Sequence, residues 1–184
     1  MLKKGALVFA ILFLSKLSSI AQFQNFPTAF EGLWEGELKI YKPATAEEPK
    51  SPFNKPKVLM QLEITPNDTA HCWNFTIRYI SQGKPDERKY LLKRDSFSGS
   101  YIIDEQNSLK LYCYLMGNTL VERFSLPEKD ITCIYKFSPD TVFTQIISSE
   151  ITPVTWTGGS NGIPKIYSYL IDGYQDAILV KKKK

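Results

Sequence analysis

The chain has 184 residues, with 23 Lys and Arg against 19 Asp and Glu, a single histidine and three cysteines. The basic excess is local: Lys3, Lys4 and Lys16 lie near the start and Lys181–Lys184 close the chain, leaving a slightly acidic body between them. A nucleic-acid interface needs a basic face that survives such a subtraction, so the composition argues against that class.

The first residues carry Lys3 and Lys4, then the apolar stretch Gly5–Leu14, then the small residues Ser19-Ile20-Ala21. That order describes an export signal over residues 1–21, cleaved before Gln22. The apolar stretch falls well short of the ~20 residues that cross a bilayer, so no transmembrane segment is expected. No cysteine follows it, and lipoprotein processing is not expected. The reading is an exported protein, periplasmic or secreted, with one domain over residues 22–184 that ends in a basic tail.

After Asn25-Phe26-Pro27 the sequence becomes a succession of short segments of period two separated by turn residues. Leu33–Tyr41 sets Trp34, Gly36, Leu38 and Ile40 against Glu35, Glu37 and Lys39. Val58–Thr65 and Cys72–Ile80 alternate in the same way, the latter with Trp73, Phe75, Ile77 and Tyr79 on one face. Such alternation marks strands with one buried and one wetter face. Further strands are expected at Lys89–Lys93, Gly99–Asp104, Leu109–Met116, Thr119–Leu126, Ile131–Phe137, Thr141–Ser148, Lys165–Ile171 and Gln175–Lys181, with a short one at Pro153–Thr157. No stretch shows the period of a long amphipathic helix. Short strands joined by short turns imply an all-β fold, a single antiparallel sandwich or barrel.

The pair Gly117-Asn118 suits a two-residue hairpin turn with positive φ. It sets Met116 opposite Thr119, Leu115 opposite Leu120, Cys113 opposite Glu122 and Leu111 opposite Phe124. One face then carries Leu109, Leu111, Cys113, Leu115, Leu120, Glu122, Phe124 and Leu126, with Glu122 its one acid. Ile131–Phe137 is expected on the far side of Thr119–Leu126, which puts Cys133 about 9.5 Å from Cys113 at the usual strand spacing. A disulfide needs Cα atoms within about 7 Å, so these two should not bridge. Cys72, Cys113 and Cys133 read as buried, unpaired small hydrophobes, with a Cys72 bridge and one leftover thiol as the rival.

The connection Lys42–Lys57 contains Pro43, Pro49, Pro52 and Pro56, and Phe53 is its one large apolar residue. Proline there forbids regular pairing, and a loop of this length in a compact domain is commonly a lid or an excursion.

With Gly32-Leu33-Trp34 opening the first strand, a long first connection, a run of meander hairpins and a last strand ending at Ala177–Lys181, the chain resembles the calycin superfamily, meaning lipocalins and lipocalin-like or nitrobindin-like barrels. The resemblance implies an up-and-down barrel of about 10 strands. It also implies a Gly-x-Trp plug (Gly32, Trp34) at the closed end and a first loop across the open mouth. Lys181 stands where lipocalins close an arginine over the tryptophan. Ile171-Asp172-Gly173-Tyr174 is a distant echo of the lipocalin Thr-Asp-Tyr, displaced into the last hairpin. The haem-binding histidine of nitrobindin-like barrels has no counterpart, because His71 lies in a turn before the third strand.

No catalytic or metal motif stands out, and no cofactor is expected. His71 beside Cys72 lacks the three or four ligands zinc requires, and no nucleophile elbow accompanies the single histidine. Glu122 among leucines either sits near the rim, solvated or paired with a lysine, or lies inside and holds the polar end of a ligand. The leading expectation is a non-enzymatic binding protein for a small, largely apolar ligand. Its cavity would be lined by Phe53, Phe75, Leu111, Leu115, Glu122 and Phe124. The alternatives are an envelope or secreted interaction module with a side-chain-filled barrel, and an enzyme using Glu122 with a tyrosine as acid and base.

Overall fold

The structure, a computed structural model, describes residues 25–41 and 57–183; residues 1–21 and Phe53, which carry the export and lid expectations, lie outside them. The chain enters through a 3-10 turn, Thr28–Phe30, and then forms ten strands. They are β1 (Gly32–Tyr41), β2 (Val58–Pro66), β3 (Cys72–Ser81), β4 (Lys84–Arg94), β5 (Tyr101–Asp104), β6 (Lys110–Met116), β7 (Thr119–Ser125), β8 (Lys129–Phe137), β9 (Thr141–Thr157) and β10 (Ile166–Lys181). Each strand pairs antiparallel with its neighbours in sequence, and β10 returns to β1, so the sheet closes into an up-and-down barrel. Within the closed part of the barrel, closure removes the sheet edges that would otherwise seek partners. Among the described residues no helix is long and apolar enough to cross a membrane.

The hairpin register read from Gly117-Asn118 is observed: Met116 pairs with Thr119, Leu115 with Leu120 and Cys113 with Glu122. Gly117 has φ +62, the left-handed conformation that the turn requires. β8 lies on the other side of β7 and places Cys133 opposite Glu122. Cys113 and Cys133 therefore flank Glu122 from either side, and all three cysteines are free and buried.

Two expectations about strand ends are corrected. Thr141–Ser148 and Pro153–Thr157 are one strand, β9, and Lys165–Ile171 and Gln175–Lys181 belong to one strand, β10. Their pairing absorbs Pro153 and Gly173 through register shifts between Ser168 and Gly173. Pro153 is tolerated because, among the described residues, no further strand pairs with the outer side of β9 there. β4 also starts five residues earlier than the sequence pattern placed it, because its run of charged residues is paired with β3.

Antiparallel alternation gives the barrel two unlike ends. The chain enters at the lower end, and Trp34 there is fully buried, its indole N–H donating to the Phe30 carbonyl at 2.9 Å. Phe26 packs edge-on against Tyr101 with ring centres 5.1 Å apart, and Phe137 packs at a tilt against Phe30 with ring centres 4.9 Å apart. The Tyr101 hydroxyl donates to the Phe26 carbonyl at 3.0 Å, tying the entering segment to the wall. Aromatic rings of this size bury 150–250 Å² each, by a rough general figure, and together they fill the lower end.

Gly32 and Gly36 are needed where β1 meets β10. Gly32 has φ +128, and a Cβ there would stand 3.1 Å from the Lys181 side chain. At Gly36 a Cβ would fall 2.1 Å from the Ile178 carbonyl oxygen, which only a glycine avoids.

Candidate functional site

The interior is layered by register. The lowest row across β6, β7 and β8 is Leu115, Leu120 and Tyr135; above it come Cys113, Glu122 and Cys133; above these β7 and β8 contribute Phe124 and Ile131. Below the middle row the barrel is filled, with Phe75, Leu62, Leu92 and Phe137 fully buried. From the middle row upward lies a cavity of about 920 Å³ that opens toward the β3–β4, β5–β6 and β7–β8 turns. Ile77, Ile103, Leu111, Phe124 and Ile131 supply its apolar wall, and Glu122, Cys133 and Tyr135 lie at its deep end.

Glu122 is 6 % exposed and faces inward because β7 alternates Leu120, Glu122 and Phe124 toward the lumen. Two thiols flank it: Cys113 Sγ donates to Oε2 at 3.5 Å, and Cys133 is its cross-strand partner on the opposite side. Thiols are weak donors, so they compensate a buried negative charge poorly. Burial accordingly pushes the Glu122 carboxyl above its ordinary range, and the thiol contacts pull it only part of the way back. Both thiols are pushed up as well, first by burial and then by the carboxylate between them. The row therefore holds its proton more readily than a free carboxyl does. Its oxygens accept from whatever occupies the space above, and the protonated form adds one O–H donor.

A second polar group stands on the wall formed by β3 and β4. The Arg88 guanidinium lies 5.2 Å from the centre of the Tyr79 ring and donates to Asp86 at 3.2 Å. Burial pushes the Tyr79 hydroxyl up to about 12, so it remains a neutral donor. Tyr90 is raised for the same reason. Toward the mouth, Lys84 and Glu105 complete a charged rim.

Of the residues expected to line a cavity, Leu111, Glu122 and Phe124 do so. Phe75 is sealed in the core, edge-on to Tyr135 at 5.7 Å, and Leu115 packs against that core one row below Glu122. Both point inward as the alternation requires, but they lie nearer the filled end of their strands. Phe53 falls outside the described residues. Tyr79, Arg88 and Tyr90 were not singled out for the site; continuing the β4 alternation back from Leu92 through Tyr90 to Arg88 and Asp86 is the signal that finds the last two. Trp34 and Gly32 lie at the filled end, far from the cavity mouth in strand order. Among the described residues no group of three His, Cys, Asp or Glu side chains is placed to hold a metal ion.

Set against protein-family models, curated proteins and solved structures, the chain finds no match in any of the three. The function therefore has to be argued from the barrel's own geometry.

Proposed function

We propose that the chain is an exported, non-enzymatic binding protein of lipocalin-like type, holding one small, largely apolar molecule in the barrel cavity. The observation that carries this reading is the half-filled interior: packed below the Cys113–Glu122–Cys133 row and open above it. Cavities that hold small molecules typically span about 300–1,000 Å³ and combine apolar walls with a few placed polar groups. The cavity of about 920 Å³ has that character. Apolar contacts with Leu111, Phe124 and Ile131 supply the affinity, and Glu122 orients the ligand's polar end through a hydrogen bond. The rival reading, an interaction module, calls for a lumen filled by side chains, and the described residues leave the upper half of this lumen unfilled.

Titration with an uncharged fluorescent lipophile, N-phenyl-1-naphthylamine, tests the reading. It predicts saturable one-to-one binding that Phe124→Arg weakens about tenfold or more, since a charge then replaces an apolar wall. Tyr112→Arg, on the outer face of β6, should leave binding unchanged. Absence of saturable binding, or equal loss in both variants, contradicts the proposal.

A further inference from the structure

We propose that the arm formed by the far ends of β9 and β10, residues 151–171, docks on the surface of an anionic lipid bilayer. Every residue from 151 to 171 is exposed. Among the described residues the two strands pair only with each other there: β8 reaches no further than Glu150 on one side, and β1 ends opposite Tyr174 on the other. Among the exposed side chains are Ile151, Val154, Trp156, Ile166, Tyr167 and Tyr169, each at least two-fifths uncovered. Apolar surface left in water is unfavourable, and exposed apolar side chains gathered on one arm mark an interaction site.

The make-up of the arm selects the partner. Trp156 and Tyr167 are direct cross-strand partners, and Lys165 holds its ammonium 4.1 Å from the Trp156 ring and 5.1 Å from the Tyr167 ring. Lys165 is the one charged residue between 151 and 171, and no Asp or Glu lies in that span. Trp and Tyr concentrate at the headgroup level of membranes, where an apolar ring and a polar tip are both satisfied. A lysine beside them adds attraction to anionic lipid.

Geometry favours a lipid surface over a flat protein partner. Trp156 and Tyr167 share one face of the ribbon while the neighbouring Ile166 projects from the other. A headgroup layer surrounds both faces; a protein surface covers one. The unpaired backbone of the two outer edges bars the arm from the hydrocarbon core, which sets a shallow depth. At the arm's root, Lys129 pairs with Asp172 and Glu150, and the Ser148 hydroxyl donates to Asp172 at 2.7 Å. This charged collar marks where immersion stops. The β9–β10 connection lies at the same end of the barrel as the turns around the cavity mouth, so docking brings the mouth to the lipid. The inference rests on the arm's own chemistry and stands whether or not the cavity is occupied.

Co-sedimentation of the protein, recovered from an exporting host, with lipid vesicles tests it. The expected result is binding to vesicles of phosphatidylcholine and phosphatidylglycerol, weaker binding to phosphatidylcholine alone, and a decrease with added salt. Trp156→Ser with Tyr167→Ser should lower binding about tenfold or more, and Lys165→Glu should abolish the preference for phosphatidylglycerol. These positions touch no core residue, so circular dichroism should be unchanged. No binding to either vesicle, binding indifferent to the substitutions, or equal binding to both lipids overturns the proposal. A solution dimer that the Trp156→Ser, Tyr167→Ser variant dissociates overturns it too, by assigning the arm to a second copy.

Discussion

The ammonium of Lys181 stands 5.0 Å from the centre of the Trp34 ring, joining the last strand to the first where the two are direct partners. The contact holds the barrel's closing seam at its filled end, beside the Lys182 amide that donates to the Leu33 carbonyl at 2.8 Å. A cation over an indole contributes roughly 0.5–1 kcal/mol at exposed sites and more when desolvated. Lys181→Met keeps the aliphatic packing and removes the charge. It should lower stability by about 1 kcal/mol in urea denaturation, without altering cavity binding; an unchanged midpoint would show that the contact contributes nothing.

Gly36→Ala should be far more damaging than its size suggests. The added methyl meets the Ile178 backbone carbonyl, which belongs to a paired strand and cannot swing aside. A loss of about 1–3 kcal/mol is expected, the usual scale for forced overpacking. Gly83→Ala, whose Cβ would meet open space, controls for added bulk at a glycine, although its φ of +75 carries a strain of its own. A thermal midpoint for Gly36→Ala equal to wild type would show that the seam is looser than described.

Glu122 gives the fold a pH dependence with a definite sign. Its carboxyl is raised above the ordinary value by burial, so the folded state holds a proton that the unfolded chain releases. Stability is then fully present below the unfolded carboxyl's range and falls as pH rises toward the folded value, by at most about 1.4 kcal/mol per pH unit. Glu122→Gln, which cannot ionise, should lose this dependence and gain on the wild type as pH rises above the ordinary carboxyl range. Urea midpoints across that range check it. A wild type whose advantage over Glu122→Gln grows with pH would mean that Glu122 is held as a compensated carboxylate.

The thiols make a matching prediction. Cys113 and Cys133 are raised by burial and by Glu122, and Cys72 by burial. Nucleophilic thiolate is therefore scarce. Ellman's reagent at mildly alkaline pH should find three reactive thiols only after denaturation. Rapid native modification of Cys133 would show that the deep end of the cavity admits a charged reagent.

Which face each residue takes was legible in the sequence, and how deep it sits was not. Period-two alternation turned Leu111, Leu115, Glu122 and Phe75 inward correctly, and Gly117-Asn118 set the register that places Glu122 beside Cys113. The height of each side chain along the barrel axis depends on where its strand starts relative to nine others. Local pattern carries no such information, so Leu115 and Phe75 were assigned to the cavity although they lie in the filled half. The charged run Lys84–Arg88 masked its own alternation, and Arg88 was missed with it. The arm was read as separate short strands because Pro153 and Gly173 look like breaks, whereas register shifts in the pairing of β9 with β10 carry both strands through.

The central claim is that the space above Glu122 exists to hold a molecule. Native mass spectrometry of the protein purified from its own host tests it most directly. The account predicts a species heavier than the bare chain by the mass of one small molecule, released on mild activation and absent from Phe124→Arg. A preparation that contains only the bare chain, from a host able to supply the ligand, would contradict it.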